Sequence, residues 1–230
     1  MEHSALAQFD NKLLDGLVFC RLVYDYFEQV RQSEGGVRTL RSRPRPVKRL
    51  LEELLPIARY VQAHYGPGKY LSIRWLNGNQ QFDAQVETIG AYVDNTGWPA
   101  SSTIEVTHAV HENDYLMREK LNSEGSVFGL EGISRVIAED GSKRVASVPV
   151  SYTNQSYIRD MQKIVVAAMQ SKVGKSYPKN TALIVDCSLI TLFLPDEWAR
   201  LVTLIKAEMP KHEFMEIYLT AGQVGYAAFL

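Results

Sequence analysis

The run Thr181-Ala182-Leu183-Ile184-Val185-Asp186-Cys187 constrains the fold more than any other stretch of the chain. It is almost wholly apolar and shows no alternation. A strand with one wet face alternates apolar and polar residues, so a strand without alternation is covered on both faces. Such a strand needs a layer on each side of its sheet, and the neighbouring segments supply helices. In residues 155–173, Ile158, Met161, Val165, Ala168 and Lys172 fall on one helical stripe, and residues 195–208 form a second helix capped near Asp196. With 230 residues, 46% of them hydrophobic, the chain can bury a core of that size.

Upstream the period changes to two. Residues 69–76 alternate as a strand, Asn77-Gly78-Asn79 is a hairpin signal, and Phe82–Glu87 reads as the antiparallel return strand. After a loop at 95–99, Thr103–Thr107 reads as a third strand. A short helix at 109–122 and a turn-rich stretch at 123–150 with a hairpin follow. Residues 213–219 form a last strand, and the tail 222–230 adds an edge strand. Before all of these, residues 4–31 read as a helix with Ser4 as N-cap, and 47–65 as a second helix kinked or broken at Pro56. The expected fold is α/β, a mixed central sheet flanked by helices. Residues 1–47 form an N-terminal helix and a basic extended segment, and 48–230 form the core, including an excursion at 108–154.

Two acids stand out on the middle strands. Successive strand residues face opposite sides, so Asp83 shares a face with Gln85, and Glu105 shares one with Thr103 and Thr107. If the strands are neighbours, the two carboxylates meet on one surface. Mg²⁺ takes hard oxygen ligands, usually one or two carboxylates with waters, so such a pair suits Mg²⁺ or Mn²⁺. The plainer reading of each is an acid at the wet end of a strand. Residues 38–49 carry Arg38, Arg41, Arg43, Arg45, Lys48 and Arg49 with no acid. Pro44 and Pro46 favour an extended course, and the segment reads equally as a phosphate contact or as a linker between helices.

A helix with Glu52 and Glu53, a hairpin with Asp83 on its return strand, a strand carrying Glu105-Val106-Thr107, then a helix and a central strand resembles the PD-(D/E)XK nuclease superfamily over roughly residues 48–190. The resemblance implies a restriction-endonuclease-like core. It also implies Mg²⁺-dependent phosphodiester hydrolysis with Asp83, Glu105 and Glu53 (or Glu52) as metal ligands and a lysine that positions the attacking water. The strand position of that lysine is Thr107 here. Lys172, at the sheet-facing end of its helix, is the candidate replacement, ahead of Lys163 and Lys175, and the Thr107 hydroxyl can orient a water. The alternative is an inactive module of the same fold that binds nucleic acid or a protein. The implied partner is nucleic acid, DNA ahead of RNA, with a homodimer through the N-terminal helix.

Other chemistry is weaker. His108 and His111 stand three apart, but no third His or Cys lies nearby to complete a zinc site. Val173-Gly174-Lys175-Ser176 lacks the first glycine of a phosphate loop and follows a helix where such a loop precedes one. A net charge of −1 gives no global pull toward nucleic acid or anionic lipid. Cys20 and Cys187 read as buried thiols, no stretch is long and apolar enough to span a membrane, and the expected location is cytoplasmic.

Overall fold

The computed structural model describes residues 5–188, 192, 194–222 and 224–230. Ser4, expected as an N-cap, lies outside these residues. A seven-stranded sheet forms the centre. In chain order its strands are β1 (Leu13–Asp15), β2 (Tyr70–Trp75), β3 (Ala84–Ile89), β4 (Ser101–Ala109), β7 (Thr181–Cys187), β8 (Glu216–Ala221) and β9 (Tyr226–Phe229). Their spatial order is β1-β2-β3-β4-β7-β8-β9. β1 to β4 pair antiparallel, β4, β7 and β8 run parallel, and β9 returns antiparallel. The sheet is thus mixed, as the sequence predicts. β5 (Ile133–Ile137) and β6 (Lys143–Ser147) make a separate hairpin within the expected excursion.

β7 lies near the middle, and all its residues except Asp186 are buried. Its side chains divide between two cores. Ala182 and Ile184 join Ile104, Val106, Trp75 and Phe19 on one face, while Leu183, Val185 and Cys187 join Met161, Val165, Leu201 and Ile205 on the other. Fully burying one such Leu, Ile or Val contributes about 1.5–3 kcal/mol. The second core is roofed by α7 (Asn154–Gln170) and α8 (Pro195–Glu208).

The first face is covered by α1 (Gly16–Gln32) and α4 (Leu55–His64). The helix expected over 4–31 is interrupted: Ala5 and Leu6 are helical, residues 7–11 turn, Leu13–Asp15 is an edge strand against Ser72–Arg74, and the long helix starts at Gly16. Asp15 then caps the helix, its carboxylate accepting from Leu17 N at 2.9 Å and Val18 N at 3.3 Å. Gly16 is required by packing, since a Cβ there would stand 2.8 Å from Val61 Cγ1 and 2.9 Å from the Leu71 carbonyl oxygen.

The basic segment is not extended. It forms α2 (Gly36–Ser42) and α3 (Arg45–Arg49). Pro44 is the N-cap of α3 and Pro46 lies in its first turn, where a missing N–H costs nothing, so neither proline prevents a helix. α3 runs into a π-helical turn at Leu50–Leu54, in which the Leu55 N–H bonds the Leu50 carbonyl. That turn resets the helix ahead of Pro56, at the point where the sequence predicts a kink. The tight Asn77-Gly78 hairpin turn is replaced by a wider loop over residues 76–83, in which the Asn77 N–H donates to Asp10 at 3.0 Å. Two further short helices are α5 (Ala91–Thr96) and α6 (Asp114–Ser123).

Candidate active site

β3 is shorter than β4. The last registered pair is Ala84 opposite Ile104, and beyond it the two strands part. The Val106 N–H therefore has no strand partner on that side. Asp83 fills the gap, its Oδ2 accepting from Val106 N at 2.8 Å while its own N–H donates to the Ile104 carbonyl at 2.8 Å. The carboxylate is thereby fixed at a fork between strands, beside Glu105.

Glu105 is buried on the face of β4 that meets α7. Just past the end of α7, Lys172 reaches across, with Nζ 2.5 Å from Glu105 Oε1. The helix expected over 155–173 ends at Gln170, so Lys172 stands in the turn beyond it, and from there it still points at the sheet. Lys163, by contrast, is exposed and pairs with Asp160. Tyr177, in the turn before β7, also bonds Glu105. Burial, then the charge and hydrogen bond of Glu105, hold its hydroxyl above the ordinary phenol range. No sequence motif marks Tyr177, because it belongs to a turn and to no periodic element.

Glu53 approaches from the π turn. Its Oε2 accepts from the buried Trp75 Nε1 at 3.0 Å, and its Oε1 pairs with Arg49. Its charge still acts on Asp83. Burial, followed by the charges of Glu53 and Glu105, pushes the Asp83 carboxyl up to about 7, against the opposing pull of the Val106 N–H and Lys172. Asp83 thus holds a proton far more readily than an exposed aspartate, because a second and third negative charge are costly in a buried site.

Among the described residues, no three His, Cys, Asp or Glu side chains gather closely enough to hold a metal by themselves. Mg²⁺ does not require three, since one or two carboxylates plus waters suffice. Asp83 and Glu105 suit it in type, and Asp83 Oδ1 has no hydrogen-bond partner among the described residues. Both oxygens of Glu53 are already engaged, which leaves it better placed to hold Trp75 and Arg49 and to act on Asp83 through its charge.

The remaining residues divide plainly. Thr107 is buried on the same strand face as Glu105, opposite Val185. Gln85 is exposed and pairs in the sheet with Arg74 and Thr103. Glu52 faces away from the fork and pairs with Arg43 at 3.1 Å and Lys48 at 3.8 Å. His108 points to the opposite face from Glu105, where its Nε2 donates to the Glu52 carbonyl at 2.6 Å and its Nδ1 faces Asp186 at 3.4 Å. Burial lowers its pKa, but Asp186 and Glu52 outweigh that and the net shift is upward. His111 stands 3.5 Å from Glu131, so the two histidines do not converge.

Within the basic segment, Arg38 and Arg41 donate to the Asn122 and Leu121 carbonyls near the end of α6, at 3.4 and 3.0 Å. Arg43, Lys48 and Arg49 pair with Glu52 and Glu53, and Arg45 is exposed. The segment is therefore largely spent on internal contacts. No helix among the described residues is long and apolar enough to cross a membrane. No protein-family model, curated protein or solved structure matches the chain.

Proposed function

We propose that the chain is a divergent PD-(D/E)XK phosphodiesterase that hydrolyses nucleic acid, DNA ahead of RNA, with Mg²⁺ or Mn²⁺. The observation that carries this reading is the meeting of Lys172 with Glu105 at 2.5 Å beside the strand fork that holds Asp83. Asp83 and Glu105 would hold the cation. When bound, the cation polarises a phosphodiester and lowers the pKa of a water. Lys172 keeps its ammonium within reach of the group that Glu105 binds, and offers donors to a phosphate oxygen or to the attacking water. The Thr107 hydroxyl shares that strand face and helps orient the water, and Tyr177 fixes the far side of Glu105. Exposed Arg45 and Lys48 supply phosphate contacts, and rearrangement of the Arg38, Arg41, Arg43 and Arg49 pairs would add more. The exposed Leu17 and Val18 of α1 offer a contact between two copies, and the proposed location is cytoplasmic.

The test is incubation with plasmid, single-stranded DNA and RNA in Mg²⁺ or Mn²⁺, comparing Asp83→Ala and Glu105→Ala with the unaltered protein. Metal-dependent cutting that both substitutions abolish supports the reading. Cutting that persists unchanged in both contradicts it. Salt-sensitive binding without any cutting favours the inactive module of the same fold.

A further inference from the structure

A cleft of about 540 Å³ opens beyond the carboxyl ends of β4 and β7, and none of the acids at the strand fork lines it. His108 and Asp186 stand side by side in its floor, and both point to the sheet face away from Glu105 and Lys172. Open α/β sheets bind ligands at the carboxyl ends of parallel strands, and this volume lies in the range of small-molecule sites.

The charges in the cleft are unevenly matched. Asp186 lies between Arg59 at 3.0 Å and His108 at 3.4 Å. Glu52 is held by Arg43 and Lys48, and Glu28 by Arg31 at 2.7 Å. Both carboxylates that line the cleft among the described residues, Asp186 and Glu28, are thus already paired, and Glu52 engages Arg43 from behind the wall. What remains is a donor. Arg43 Nε is buried and has no hydrogen-bond partner among the described residues. Arg43 also sits at φ 50° and ψ 59°, a left-handed conformation that costs a non-glycine residue of order 1 kcal/mol. That conformation ends α2, with the Arg43 N–H donating to the Thr39 carbonyl, whereas the orphaned buried Nε is a donor that an anion can satisfy. Opposite, Arg59 lies against Gly222, where a Cβ would stand 1.8 Å from its guanidinium carbon. Gly222 therefore makes room for the cation. The walls, from Tyr24, Phe27, Leu40, Leu51 and Leu55, are apolar.

We infer that this cleft binds a small organic anion with a planar apolar body, its charged head held between Arg43 and Arg59. This site is independent of phosphodiester hydrolysis. It meets the acid site through β4, which carries Glu105 and His108 on opposite faces, and through the π turn, where Glu52 pairs with Arg43 and neighbouring Glu53 with Trp75.

The test uses the full chain and two fluorescent probes that share the same ring system, 8-anilinonaphthalene-1-sulfonate and the neutral N-phenyl-1-naphthylamine. The expected result is one saturable sulfonate site, with the neutral amine at least about tenfold weaker, since a charge-assisted pair is lost. Arg43→Gly, which suits the left-handed backbone, and Gly222→Ala, which displaces the Arg59 guanidinium, should each weaken sulfonate binding by about tenfold. Equal binding of the two probes to the unaltered protein overturns the inference, whatever the variants do. So does unchanged sulfonate affinity in both variants when their far-ultraviolet circular dichroism matches that of the unaltered protein.

Discussion

Lys172 Nζ stands 2.5 Å from Glu105 Oε1, across 67 residues of sequence, with Lys172 in the segment between α7 and β7. Both side chains are mostly buried, at 19% and 11% exposure. Removing one partner leaves the other charge in a poor solvent, which is costlier than the pair itself is stabilising. Lys172→Met keeps the apolar stem and should destabilise the fold by about 2 kcal/mol. A double-mutant cycle with Glu105→Gln in urea unfolding should return a coupling of at least about 1 kcal/mol. Additive effects would mean that the two groups do not interact in solution.

Asp83 makes stability depend on pH in an unusual direction for an aspartate. Its carboxyl is pushed from the ordinary 3.8 up to about 7 by burial and by Glu53 and Glu105. Below 3.8 the group is protonated in both folded and unfolded chains, and its protonated form is the one the fold prefers. As pH rises through about 7 the folded protein must also ionise it, and that preference is lost. Its contribution should thus decline by up to about 4 kcal/mol between those limits. Asp83→Asn keeps an oxygen for the Val106 N–H and removes the charge. Urea midpoints measured from pH 4 to pH 8 should fall more steeply for the unaltered protein than for Asp83→Asn, and parallel curves would refute the shift.

Gly16 is the tightest packing point at the start of α1. Gly16→Ala places a methyl group against Val61 and the Leu71 carbonyl, and should cost about 1–3 kcal/mol through overpacking. Thermal unfolding checks it, and an unchanged midpoint would show that β1 and α1 can shift apart freely.

Trp75 offers an optical report on the acids. Its indole N–H donates to Glu53, so a cation that alters the acid group should alter tryptophan emission. Mg²⁺ titration should change the fluorescence saturably, and Trp75→Phe should abolish that response while costing about 1–2 kcal/mol. A response that survives Trp75→Phe comes from elsewhere in the protein.

Much of the architecture was legible because it rests on periodicity. β7 declared itself by the absence of alternation, and the stripe ending in Lys172 correctly aimed that residue at the sheet. What could not be read depended on partners distant in sequence. The prolines at 44 and 46 are neutral between an extended chain and a helix start, and the Glu52 and Glu53 carboxylates that pair with Arg43, Lys48 and Arg49 become visible only once the π turn is built. β1 is three residues long and is recognised only by its pairing with β2. Tyr177 enters the acid group from a turn, where neither period applies. The cleft at His108 and Asp186 is assembled from parallel strands far apart in sequence, so the spacing of His108 and His111 carried no sign of it.

We propose that the carboxylate of Asp83 serves phosphodiester hydrolysis as well as closing the strand fork. Asp83→Asn separates the two roles, because the amide oxygen still accepts the Val106 N–H. The measurement is the Mg²⁺-dependent, single-turnover cleavage rate of a labelled DNA duplex by folded Asp83→Asn. The expected result is a loss of about 100-fold or more, the scale expected when a cation loses a charged ligand. A rate within a few-fold of the unaltered protein would contradict it and leave Asp83 a purely structural cap.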